Sequence, residues 1–249
     1  MENDVIVKDD AIRVVVLGAG EHAKMIADAI LNSGLKSKGF DLVGFLNDNP
    51  ALLNQCILDR PVLGSIDDLK NVPHDAVVVG IGENESWCRL FELLTSRGEK
   101  FTTIIHSSAV IASDVKIGVG TVVLASVVIN TGADIKNNVI LNTSCTMDHD
   151  CVVGSHSHIC PGAHLGGNVC VGEGSWIGIS STVFHKISIG GWATVINDVL
   201  ANTTVVDVPA KELPLQRSKQ RFNRNFYINT QSTSQSAYPS VHASSEIIS

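Results

Sequence analysis

From Ile111 onward the chain places an aliphatic residue at every sixth position. The column runs through Ile117, Val123, Ile129, Ile135, Leu141, Met147 and Val153 to Val195, fifteen members in register with no insertion. Four places after each comes a second column, starting Val115, Thr121, Val127 and Ala133 and ending at Val199, whose members are all small or aliphatic. A helical heptad does not repeat every six residues, and a flat strand alternates by two. A hexapeptide period with one large and one small inward position predicts a parallel β-helix, a triangular prism in which three hexads make one coil of about 18 residues. Fifteen hexads give about five coils, each stacked on the last at strand spacing. Residues i and i+18 therefore lie one above the other.

Ahead of the repeats the pattern changes. Ile12 to Leu17 is a continuous β-branched run suited to a buried parallel strand. Gly18-Ala19-Gly20-Glu21-His22-Ala23 follows, then an amphipathic stretch to about Asn32, which predicts strand, glycine turn and helix. A second strand is expected from Asp41 to Leu46, ending in Asn47-Asp48-Asn49-Pro50. A third runs from Ala76 to Ile81, followed by a helix from about Asn84 to Arg97, and a fourth strand from Phe101 to Ile105 leads into the repeats. The expected organisation is a small Rossmann-like α/β domain over residues 1–106 and a β-helix over 107–213. A Ser/Thr/Gln-rich tail follows over 214–249, on which no structure is forced. A helix N-terminus behind a glycine turn offers free N–H groups to an anion. Only one mononucleotide-binding half fits in this length, so one nucleotide suits it better than a nicotinamide dinucleotide.

Composition removes several classes. The formal charge of −7 argues against general nucleic-acid affinity. Mean hydropathy is +0.21, high for a soluble chain, yet a prism of Val, Ile, Gly and Asn accounts for it, and no apolar run reaches transmembrane length. The acidic, polar start from Met1 to Asp10 reads as no signal peptide. None of the six cysteines forms a CxxC pair, so unpaired thiols and a cytoplasmic location are expected. Arg217, Lys219, Arg221 and Arg224 form a basic patch early in the tail, read as a solvated arm or one that packs on a neighbour.

The chemistry centres on Asp148-His149-Asp150. Met147 and Cys151 point inward by register, so the three polar residues lie at a prism corner or near its surface. A carboxylate beside an imidazole orients the ring and stabilises the imidazolium, which suits a general base. One coil above His149 is Gly167, whose lack of a side chain leaves room and bares a backbone N–H for an oxyanion. Nine residues after His149, half a coil on, is His158. His185, two coils above His149, raises a zinc reading, but no third histidine follows closely and no metal is expected.

At these residues the chain resembles the sugar acyltransferases that join a small nucleotide-binding α/β domain to a left-handed β-helix, the PglD-like, perosamine and NeuD-like acetyltransferases. The resemblance covers about residues 12–213. It rests on Gly18-Ala19-Gly20-Glu21-His22-Ala23, Gly44-Phe45-Leu46-Asn47-Asp48-Asn49, Asp148-His149-Asp150-Cys151 and Ser157-His158. It implies the left-handed prism, which periodicity alone does not give. It further implies that His149 is the general base, oriented by Asp150, and that His158, Asn142 and the Gly167 N–H meet acetyl-CoA. Gly18, Ala19, Gly20, His22, Asn47 and Asp48 would hold the nucleotide of the sugar. Three positions depart from the family pattern: Glu21 replaces a glycine of the turn, Asn47 replaces the first of an acidic pair, and Asp207 replaces a glycine before Val-Pro-Ala-Lys.

The expected function is acetyl transfer from acetyl-CoA to an amino group of a nucleotide-linked sugar for a bacterial surface glycan, in a homotrimer with its sites between subunits. O-acetylation of a sialic-acid-like sugar uses the same residues and stays open. A non-catalytic nucleotide-sugar-binding scaffold is the rival of another class.

Overall fold

The computed structural model describes residues 11–32, 39–196, 204–206 and 211–212. The first part is an α/β layer. Strands β1 (Ile12–Leu17), β2 (Phe40–Leu46), β3 (Cys56–Ile57), β4 (Arg60–Gly64) and β5 (Ala76–Val79) form one sheet in the order β3-β4-β2-β1-β5. β1 runs parallel to β2 and β5, and β2 to β4, whereas β3 returns antiparallel on β4. Helices α1 (Glu21–Leu31) and α2 (Asn84–Ser96) complete it. β1 and β5 are buried nearly throughout, which is why they read as unbroken apolar runs instead of alternating.

From Ile104 the chain winds as a triangular prism, the left-handed β-helix of the hexapeptide proteins. Its first face stacks Val110–Ile111, Val128–Ile129, Thr146–Met147, His164–Leu165 and Thr182–Val183. Its second stacks Lys116–Ile117, Asp134–Ile135, Val152–Val153, Cys170–Val171 and Ser188–Ile189, then Thr204–Val206, with Lys211–Glu212 antiparallel at the end. Its third stacks Ile104–Ile105, Val122–Val123, Ile140–Leu141, His158–Ile159, Trp176–Ile177 and Thr194–Val195. From Ile104 to Val195 the coils pair i with i+18, as Val128 with Thr146 and Ile140 with His158, whereas the last step, Ser188 to Thr204, spans 16 residues. The inward columns make one apolar core from Val123 to Val195.

A third column explains the corners. Every sixth residue from Gly120 to Trp192 is left-handed, with φ between 54° and 74°, and it includes Gly132, Asn138, Asp150, His156 and Asn168. Gly, Asn, Asp and Ser dominate it because they tolerate that conformation best. Its backbone N–H groups bond the coil below, as Asp150 N to Thr131 O at 3.0 Å.

The expected strand from Phe101 to Ile105 divides. Phe101 makes only a parallel bridge to Val77, while Ile104–Ile105 pairs with Val122–Val123 and opens the third face. This handover fixes the α/β layer to the prism. Ile104, Val122 and Leu124 join the core under α1, and Ile140 joins that of Trp87, Leu90, Phe91 and Leu94 on α2. Ile104, Val122, Leu124 and Ile140 are at most 3% exposed, against 62% for Val110 on the first face. Each such burial is worth roughly 1.5–3 kcal/mol, enough to join the two layers in one compact unit. Polar clamps add direction: Trp87 Nε1 donates to Asn138 Oδ1, Asn138 meets His156 Nδ1 at 2.8 Å, and His156 Nε2 lies 3.3 Å from Glu92. Asp207, the basic patch and the tail lie outside the described residues. Among the described residues no helix is long and apolar enough to cross a membrane.

Candidate active site

His149 and Asp150 sit at the corner between the first and second faces. Asp150 Oδ2 accepts from His149 Nδ1 at 2.8 Å, which leaves Nε2 without the proton and basic. The pair is held from both sides. Asp148 Oδ1 accepts from the backbone N of His149 at 2.8 Å and from Asn130 Nδ2 at 3.1 Å, and these bonds lower the Asp148 carboxyl pKa. The Asp150 bond raises the pKa of the His149 imidazole; desolvation opposes it, and the charges of Asp148 and Asp150 add to the rise. The ring is half exposed, at 50%.

Two glycines bracket this pair. A methyl group built on Gly167 would lie 2.6 Å from His149 Nε2, so the basic nitrogen occupies the space a side chain would fill. One coil below Asp150 is Gly132 (φ +74°), where a methyl group would collide with Asp150 Oδ1. Asp114 pins that lower coil by accepting from Thr131 Oγ1 at 2.7 Å and Gly132 N at 3.0 Å. Gly132→Ala is expected to displace the Asp150 carboxylate and slow turnover roughly 10- to 100-fold, at about 1 kcal/mol of backbone strain. Steady-state kinetics beside thermal unfolding check this, and an unchanged kcat in a folded variant refutes it.

A groove of about 480 Å³ opens along the first face beside the dyad, lined among others by Asn130, His164, Gly166, Gly167, Phe184 and His185. His164 donates to or accepts from Thr146 Oγ1 at 2.8 Å and belongs to the groove wall. Among the described residues no cluster of His, Cys, Asp and Glu could hold a metal ion.

His158 and Asn142 lie elsewhere. His158 is on the third face, opposite the corner that carries His149, and only 5% exposed. Asn142 Nδ2 meets its Nε2 at 3.0 Å, while its Nδ1 is buried with no partner. Trp176 packs on it (ring centroids 4.4 Å) and His22 faces it from α1 at 6.2 Å, itself against Trp87 at 5.5 Å. Burial pushes the His158 pKa down to about 3, helped by His22, and that of His22 to about 4, so both rings are neutral. His22 Nε2 is buried and unpartnered as well. The structure thus keeps two clusters apart in one chain: the His149–Asp150 pair at an exposed edge, and a dry imidazole pair under the α/β layer. Trp87 and Trp176 escaped the sequence reading; the i+18 rule does place Trp176 one coil above His158, whereas nothing in the spacing relates Trp87 to His22.

The remaining residues gather at the carboxyl ends of the α/β strands. Gly18 N donates to Leu46 O at 2.8 Å and Gly80 N to Leu17 O at 2.7 Å, tying β1, β2 and β5 together. Gly20 is the N-cap of α1 and makes no side-chain cap, so the first-turn N–H groups keep room for an anion. Glu21 is exposed. Asn47 Oδ1 accepts from Asn49 N and Asp48 Oδ1 from Ile66 N, both at 2.9 Å, so these oxygens shape their own loop. Ala19 lines a second cavity, about 330 Å³, with Lys24, Gln55, Cys56, Leu58 and Val62. Its β3–β4 wall was not foreseen, since a two-residue strand and Pro61 leave little alternation to read.

The fold is that of an acetyltransferase of the hexapeptide type joined to an α/β layer, and known proteins bear this out. The profile of the PglD N-terminal domain matches residues 13–94. The acetyltransferase domain of PglB from Neisseria gonorrhoeae FA1090 is 30% identical, covering 81% of this chain and 99% of that one (TM-score 0.58), and it has also been solved with acetyl coenzyme A. PerB from Caulobacter crescentus, in complex with CoA and GDP-perosamine, is 27% identical over 81% of this chain and 97% of that one (TM-score 0.53). WeeI from Acinetobacter baumannii AYE is 25% identical over 80% and 99% (TM-score 0.60). The chain belongs to the PglD/NeuD-like family of sugar acetyltransferases.

Proposed function

We propose that this chain transfers the acetyl group of acetyl-CoA to the amine of a nucleotide-linked amino sugar, as a cytoplasmic homotrimer with three sites between subunits. The observation that carries this is the His149–Asp150 dyad, whose free Nε2 lies at the bare Gly167. His149 takes a proton as the neutral amine attacks the thioester carbon. The Gly167 N–H faces the oxygen that becomes negative. The C–S bond then breaks, and the imidazolium returns its proton to the coenzyme A thiolate. The uncapped start of α1 with Gly18, Ala19 and Gly20 grips the diphosphate, the Asn47–Asp48 loop and the Ala19 cavity the nucleoside. The first-face groove takes the coenzyme arm. The third face is already covered by α1 and α2, so a neighbouring prism has the open edge at His149 to meet. That contact would bring one copy's base to another's His22 and His158. Six free thiols fit a reducing compartment.

A panel of UDP-, GDP- and dTDP-linked amino and hydroxy sugars with acetyl-CoA, read by thiol release, tests this. Amino sugars are expected to turn over well above hydroxy sugars. Preference for a hydroxyl would make the chain an O-acetyltransferase. Binding of nucleotide-sugars without any thiol release would make it a scaffold.

A further inference from the structure

His158 is the most deeply buried imidazole with an unmet hydrogen-bonding group, and its surroundings determine which nitrogen holds the proton. The reasoning starts one residue past Asn142. The backbone N–H of Thr143 donates to Asn142 Oδ1 at 2.8 Å, and a peptide N–H has no other role to play. That bond fixes which end of the amide is oxygen. The other end, Nδ2, is a donor only, and it faces His158 Nε2 at 3.0 Å. A donor facing a ring nitrogen requires that nitrogen to be the acceptor, so the proton of the neutral ring belongs on Nδ1. Nδ1 is the atom that is buried with no partner. An unpaired donor in a dry place is costly, and in a native protein such an atom calls for a function or a ligand.

We propose that Asn142 is a positioning residue that locks His158 in the neutral Nδ1–H tautomer, making that N–H a preorganised donor for the carbonyl oxygen of the acyl donor. The donor role rests on the acetyl-transfer reading above; the tautomer lock does not. A neutral donor suits the task, because an imidazolium in this pocket would protonate the incoming amine. Burial already denies His158 the charged state, but burial alone leaves the two neutral tautomers open. Asn142 selects between them. The lock is anchored in the coil itself: Asn142 N donates to Ile159 O at 2.9 Å and Cys145 N to Asn142 O at 3.1 Å, so the amide is carried on the prism and not on a loop.

The test uses the full-length protein with 15N-labelled histidine and long-range proton–nitrogen correlation, with His158→Asn assigning the resonance. In the unsubstituted protein, Nε2 is expected to be unprotonated and Nδ1 protonated. Asn142→Asp keeps an oxygen for Thr143 N and turns the group facing His158 into an acceptor. Its spectrum is expected to show Nε2 protonated, and kcat to fall about a hundredfold, the size of a lost oxyanion donor, with little change in KM for the sugar. A proton on Nε2 in the unsubstituted protein overturns the lock, and so does a wild-type tautomer in Asn142→Asp. Both spectra as expected but with full turnover would confirm the lock and overturn the donor role, placing the failure in the catalytic reading and not in the hydrogen-bond argument.

Discussion

Two chains that are each inactive, one carrying His149→Ala and the other His158→Asn, are expected to recover activity when they assemble together. His149 stands at the edge between the first and second faces, while His158 stands on the third face beneath α1. One protomer therefore does not present both to the same substrate, and in the proposed trimer a working site would take its base from one copy and its dry imidazole pair from the next. In a cyclic trimer of mixed composition, one interface of the three joins an intact His149 to an intact His158. Doubly tagged mixed trimers should show about a third of the unsubstituted rate, while each parent alone falls by roughly a hundredfold or more. Were the site to lie within one protomer, every copy in the mixture would carry a lesion and no recovery would be seen. Co-expression with two tags and tandem purification supplies the mixed trimers, and thiol release with an acceptor sugar that the unsubstituted protein turns over reads the recovery.

The inward columns of the prism were fully legible because the hexad repeats the same physical demand in every coil. Val123, Ile135, Met147, Ile159 and Val183 are all buried to within 1%. The His149–Gly167 stacking was legible for the same reason, since a fixed coil length turns sequence distance into height. What the period does not state is which face another layer will cover. Val122, Ile140 and His158 occupy outward positions equivalent to Val110 and His164, yet they are buried because α1 and α2 lie on the third face. His156 shows the same limit. It occupies a corner position of the hexad, and it is a 6%-exposed bridge between Asn138 and Glu92. In the α/β layer, the buried parallel strands announced themselves by composition, while the β3–β4 hairpin turns on left-handed Leu58 and Asp59, residues that carry no such signal.

Replacing His149 by Ala is expected to lower kcat/KM by about 10²- to 10⁴-fold, the usual worth of a positioned general base. The trimer should stay intact, since the half-exposed ring has Asp150 as its hydrogen-bonding side-chain partner. The sharper measurement is the pH profile. A base works unprotonated, so activity falls as pH drops through its pKa, which here lies above the ordinary imidazole value chiefly because of the Asp150 hydrogen bond. Asp150→Asn replaces that charged acceptor by a neutral amide, which weakens the bond and removes one of two nearby charges, leaving Asp148. The acid limb should move to lower pH while the plateau falls, because the ring loses both its orientation and part of its basicity. A limb that stays in place, or moves toward alkaline pH, would refute the pairing as the source of the base. Stability supplies the control. A raised imidazole pKa stabilises the fold below the unfolded-state pKa and ceases to do so as pH rises through the folded one. At a solvent-exposed pair this linkage is heavily screened. The unfolding temperature of Asp150→Asn should therefore track that of the unsubstituted protein across the window in which its activity profile moves, which separates a change in catalysis from a change in folding.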